Sequence, residues 1–188
     1  MRNDPAMTSI SRRPWLAAIA VMAAILTAGC ATVAKYDAAS DVHAFLISVR
    51  DGDRDTFEAH VDRPALKDNL KARLLEMSAR RYGTDSKQTL GALLLAGPLA
   101  SLTVDGLVRP QVFAAAAALM GYGAQTSIPN PILIGRQVKP LGGDRVCVMG
   151  KTQCLFIFKR EEGTWRMIAY EGDLGLLGRG VEGLRGLL

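Results

Sequence analysis

"RVCVMGKTQCLFIFKREEGTWRMIAYE", residues 145–171, decides what kind of fold this chain can have. Its apolar residues are β-branched or aromatic and come in short runs, broken at Gly150-Lys151 and again at Glu161-Glu162-Gly163. Such runs bounded by turn residues predict three antiparallel strands in a meander. Gly-X is what a two-residue type II′ turn requires. With Gly150-Lys151 as the turn residues, Met149 faces Thr152 and Cys147 faces Cys154 directly across the hairpin. Opposed cysteines fall within disulfide reach, and an exported chain meets an oxidising compartment. The alternative is two reduced cysteines packed as small apolar side chains.

Upstream the period changes from two to that of a helix. In "DVHAFLISVRDGD" (41–53), Val42, Phe45, Leu46 and Val49 form one apolar stripe, and Gly52 is a natural stop. Asp53 caps a short helix, "RDTFEAHV", with Phe57 and Val61 turned inward. Asp62 then precedes "RPALKDNLKARLLEMSARR" (63–81), where Pro64 suits a first turn and Leu66, Leu70, Leu74 and Met77 recur at helical spacing. Past a polar break at 82–88, "TLGALLLAGPLASL" is apolar with a Gly97-Pro98 stop. In "DGLVRPQVFAAAAALMGYG" (105–123), Pro110 opens a helix, alanines 114–118 extend it, and Gly121 or Gly123 closes it. Residues 122–144 read as loop with one edge strand at "PILIG". The predicted fold is α+β: N-terminal helices packed on a C-terminal antiparallel β-meander, in a single domain over 37–171. The Gly/Leu-rich tail, 172–188, places Leu177, Val181, Leu184 and Leu188 at helical spacing, but each interior glycine costs a helix about 1 kcal/mol relative to alanine. It therefore needs a surface: its own domain, a membrane or a partner.

The amino terminus bears on location. Arg12-Arg13 precede an apolar run from Trp15 to Ala28, the n-region and h-region of an export signal. The run is shorter than the roughly 20 residues of a spanning helix. "LTAGC" (26–30) resembles the lipobox of bacterial lipoproteins, with small residues before a cysteine that takes the lipid. On this reading residues 1–29 are a signal peptide that is removed, Cys30 is acylated, and 30–36 are a lipidated tether. Ala31 rather than Asp after the cysteine resembles an outer-membrane lipoprotein facing the periplasm. The alternative is an uncleaved helix in the inner membrane.

"DGDRDTFEAHVDRPALKDNLKARL", "LVRPQVFAAAAALM" and "LFIFKREEGTWRMIAYE" together resemble an uncharacterised bacterial family, DUF2939, over most of residues 37–171. The resemblance implies no reaction. The first and last of these stretches are also similar to the start and finish of cystatin-like domains typified by nuclear transport factor 2. That similarity implies helices wrapped on a curved sheet, a cone that often encloses a pocket.

The 188 residues carry a formal charge of +5, and setting residues 1–29 aside removes Arg2, Arg12, Arg13 and Asp4 and leaves +3. That charge is too mild to argue for nucleic acid. His43 and His60 are the only histidines, too few for zinc without further ligands. Asp51, Asp53 and Asp55 alternate as in a calcium loop, but Thr56 stands where glycine is needed and Asp62 where glutamate is. These carboxylates read as turn and cap residues. Arg63, Lys67 and Lys71 run down one helix face as a stripe that can meet anionic headgroups. No nucleophile elbow, phosphate loop or dinucleotide fingerprint is present, and nothing selects an acid/base pair such as Asp41 with Tyr170. No catalytic residue, metal or cofactor is expected. The expected partners are a membrane, through acylated Cys30, and an envelope protein or apolar ligand; the alternative is a small-molecule enzyme or binder with a cone-fold pocket.

Overall fold

The computed structural model of the chain describes residues 33–82 and 104–185. The N-terminal residues read as an export signal, Cys30 and "TLGALLLAGPLASL" lie outside the described residues. Helix α1 is described over 33–51 and is followed by α2 (Arg54–Ala59) and α3 (Arg63–Tyr82). The stripe on α1 is inward: Val42, Phe45 and Val49 are buried, joined by Ala38, Ala39 and Ser48. Asp53 caps α2 by accepting from the N–H groups of Asp55 and Thr56. Asp62 accepts from Ala65 N–H at 3.0 Å at the start of α3. Leu66, Leu70 and Leu74 are buried, while Met77 has left the core and is exposed. Among the described residues α1 is already helical at Val33.

A four-residue helix, α4 (Val104–Leu107), precedes α5 (Pro110–Leu119), which has Pro110 at its first turn and Gly121 in the left-handed region just beyond its end. The region expected to be loop is more ordered. "PILIG" is not a strand but helix α6 (Pro131–Gln137), capped by Asn130, whose side chain accepts from Leu133 N–H. The edge strand follows it directly as β1 (Val138–Gly142). Pro140 sits in this strand, which pairs on one side only, where the missing N–H costs least.

Strands β1, β2 (Arg145–Met149), β3 (Cys154–Glu161) and β4 (Thr164–Tyr170) form one antiparallel sheet in sequence order, four strands rather than three. Glu162 and Gly163 both have positive φ, 50° and 87°, which makes the β3–β4 link a two-residue turn of the primed type that suits strand twist. The β2–β3 link corrects the expected register. Gly150 N–H donates to Gln153 O, so four residues rather than two make the connection, and the ladder shifts at Val148/Met149. Met149 pairs with Cys154 and Cys147 with Ile157, so the cysteines are diagonal neighbours, not direct opposites. Their Cα atoms are 5.7 Å apart and the structure joins them as a disulfide.

The N-terminal helices and the sheet share one core. Phe45 packs on Phe57, Phe113, Phe156 and Phe158, with ring centroids 5.7–6.2 Å apart. Phe113 and Phe156 both reach Tyr170. Aromatic side chains therefore occupy the space between α1, α5 and the sheet. Helix α7 (Leu174–Arg185) closes the fold against α5, with Leu177 and Val181 buried. A Cβ on Gly180 would lie 3.0 Å from Val112 O and 3.1 Å from Ala116 N. Gly180 of the tail and the alanine run of α5 are thus two sides of one close helix crossing.

Candidate functional site

Helix α1 carries Asp37 and Asp41 one turn apart, and both reach β4. Trp165 N–H donates to Asp41 Oδ2 at 2.7 Å, and its indole Nε1–H donates to Asp37 Oδ2 at 3.0 Å. Trp165 is buried, and a buried indole needs such an acceptor. Arg160, at the end of β3, lies 3.4 Å from the same Asp37 oxygen. His60 Nε2 lies 3.7 Å from Asp41 Oδ1, while its Nδ1–H donates to Thr56 O at 2.8 Å. The backbone continues the junction: Met167 N–H donates to His60 O and Asp62 N–H donates to Met167 O. Both carboxylates are thereby engaged in tying α1, α2 and the sheet together. The set fastens α1 and α2 to the sheet as a clamp.

A second polar cluster lies at the other end of β4. Asn69 Oδ1 accepts from Tyr170 N–H at 3.1 Å, and Asn69 Nδ2 donates to Glu171 Oε1 at 3.1 Å. Arg73 donates to Tyr170 O and stands 3.8 Å from Glu171 Oε2. Burial, reinforced by the negative Asp173, pushes the Tyr170 phenol up to about 12, and its O–H donates to Asp173 O at 3.2 Å. Asp41 and Tyr170 are therefore not brought together; five residues of strand, about 17 Å, separate the points where they engage β4.

Beside this cluster a cleft of about 230 Å³ opens between α3 and α7, lined by Arg73, Glu76, Arg80, Asp173 and Leu174 among others. Arg80 pairs with Glu76 at 2.5 Å, Arg73 is turned to the end of β4, and Asp173 accepts from Gly175 N–H.

The remaining residues singled out from the sequence fall in separate places. His43 Nδ1–H donates to Pro129 O at 2.9 Å, so each histidine is held by a backbone carbonyl. Among the described residues no three His, Cys, Asp or Glu side chains gather as a metal site. Asp51 pairs with Arg50, and Asp53 is held below the usual carboxylate range by the Thr56 hydroxyl and N–H groups. Of the basic stripe, Arg63 makes a two-pronged pair with Glu58 that lowers the Glu58 pKa, and Lys67 adds to that field. Lys71 is exposed. Sequence reasoning passed over Asp37 and Asn69. For Asp37 the available signal was its i, i+4 spacing from Asp41 beside the buried face of α1; for Asn69 there was none, since its partners lie about a hundred residues away.

The sequence profile of the family described as "Protein of unknown function (DUF2939)" matches residues 21–116, just over half of the chain. The chain belongs to this family. The match takes in the second half of the apolar N-terminal run, Cys30 and α1 to most of α5, and it stops before the sheet. The described part of the match is therefore α1 to most of α5, while the stretch "LFIFKREEGTWRMIAYE" lies outside it. No curated protein and no solved structure matches the chain. Among the described residues of this DUF2939 protein, no helix is long and apolar enough to cross a membrane.

Proposed function

We propose that this DUF2939 protein is a lipid-anchored protein of the bacterial cell envelope, held through acylated Cys30 and acting as a non-enzymatic binding or structural module. The observation that carries the reading is spacing. "LTAGC" ends at Cys30, and by Val33 the chain is already in a helix whose Ala38 and Ala39 are fully buried. A lipid on Cys30 would thus act on a folded body almost directly. The polar clusters support the non-enzymatic part: Asp37, Asp41 and His60 fasten α1 to β4, and Asn69 and Arg73 fasten α3 to its other end. An outer-membrane position facing the periplasm follows from Ala31 after the cysteine, and the Cys147–Cys154 bridge suits an oxidising compartment. The partner of such a module is an envelope protein or an apolar envelope component.

The test is the intact mass of the protein extracted from membranes of a bacterial host, beside Cys30→Ser. Residues 30–188 plus acyl chains, lost in the variant, are the expected result. A full-length unmodified mass for the wild-type chain, differing from Cys30→Ser only by the substitution, would replace the lipid with a spanning N-terminal helix.

A further inference from the structure

Along the first half of α1 and the α6 beside it, four large apolar side chains stand in solvent: Val33 at 71% and Tyr36 at 44% exposure on α1, Ile132 at 63% and Leu133 at 46% on α6. The two helices touch here. A Cβ on Gly135 would lie 2.7 Å from the Tyr36 ring, and Pro129, just before α6, accepts from His43. These contacts run α6 antiparallel along the first half of α1. Lys35, whose Nζ lies 5.8 Å from the Tyr36 ring centroid, and exposed Arg136 border the apolar group. Asp37 beside it is turned to Trp165 and Arg160.

We infer that this face of α1 and α6 rests on the bilayer to which the chain is anchored. The inference rests on membrane attachment through the N-terminal segment, but it holds for either form of attachment. Three residues separate Cys30 from Val33, and a fully extended chain covers at most about 3.6 Å per residue, so the two Cα atoms are within about 11 Å. A lipid in the membrane, or a spanning helix ending there, brings the first turn of α1 to the headgroups. No linker is long enough to hold Val33 and Tyr36 away. Apolar side chains, a tyrosine and flanking Lys and Arg are the residue types that suit the boundary between acyl chains and anionic headgroups. The far end of α1 lies about 27 Å along the helix axis, which makes the start of α2 the position distant from the anchor.

The experiment uses the full chain, purified from membranes and reconstituted in vesicles of phosphatidylethanolamine with phosphatidylglycerol. A polarity-sensitive fluorophore is attached to Ile132→Cys, to Leu133→Cys and, as the distal control, to Asp55→Cys. Quenching by nitroxide groups on the lipid chains is expected to be at least severalfold stronger at positions 132 and 133 than at 55, with blue-shifted emission. Flotation with the vesicles reports attachment separately. Protein that floats while all three labels emit as in water overturns the docking face and leaves the anchor standing. Protein that does not float overturns both.

Discussion

Asp41 Oδ2 accepts the backbone N–H of Trp165 at 2.7 Å, a contact between residues 124 positions apart. One turn away, Asp37 takes the indole N–H of the same residue. The two aspartates are thus distinguishable by experiment: one binds the backbone of Trp165 and the other its side chain. Asp41→Ala is expected to cost about 1–2 kcal/mol in chemical denaturation, since it leaves a backbone donor unpaired. Trp165→Ala is expected to cost about 3–5 kcal/mol as a lost core aromatic. In a double-mutant cycle, Asp37→Ala should couple to Trp165→Phe, which removes the indole N–H, while Asp41→Ala should not. Equal coupling for both aspartates would contradict the geometry.

Gly180 and Gly183 sit in the same helix and should respond to alanine with opposite signs. Alanine gains up to about 1 kcal/mol over glycine in helix propensity. At Gly183 nothing lies within 4 Å of an added Cβ, so Gly183→Ala is expected to raise stability by about 0.5–1 kcal/mol. At Gly180 the backbone of α5 stands at 3.0 Å and cannot yield as a side chain would, so Gly180→Ala should lower the melting temperature despite the same gain. Stabilisation at both positions would mean that α7 does not cross α5 at this distance.

These glycines also mark where sequence reading stops. The first three helices were legible because Val42, Phe45 and Val49 in α1 and Leu66, Leu70 and Leu74 in α3 repeat at the helical period and Asp53 and Asp62 supply caps at the expected places. "PILIG" was misread because its apolar run has no polar face to reveal a period, although Asn130 before Pro131 is a cap-and-first-turn signature. The β2–β3 register was misread because Gly150 closes a longer connection through Gln153, which no local rule favours over the two-residue turn. Tail and alanine run are each low in information, and their meaning appears only when Gly180 is placed on Val112 and Ala116. The clamp was illegible for the same reason: Asp37 and Asp41 find their partner only through the complete sheet.

Reducing the Cys147–Cys154 bridge is expected to weaken the fold modestly. The cysteines are 7 positions apart, and closing so short a loop removes little entropy from the unfolded chain, about 2 kcal/mol by the chain-entropy estimate. Urea denaturation with and without reductant should show a lowered midpoint and a two-state transition in both cases. A collapse of the fold on reduction would assign the bridge a role in positioning β2 on β3 that the ladder itself already fills.

Tyr170 supplies a pH dependence whose sign is fixed by its burial. Its phenol is pushed up to about 12, above the value near 10 of an unfolded chain. Between those values the folded state holds a proton that the unfolded state has released. The contribution of Tyr170 is therefore complete below about pH 10 and is lost as pH rises toward 12, by on the order of 2 kcal/mol. Tyr170→Phe cannot ionise and gives up only the hydrogen bond to Asp173 O, so its stability should fall less steeply over this window. Ultraviolet titration of the wild-type chain should find one late-ionising tyrosine that is missing in the variant. If no tyrosine titrates late, Tyr170 does not lie sealed between Phe113 and Phe156, and the aromatic core is open at that end.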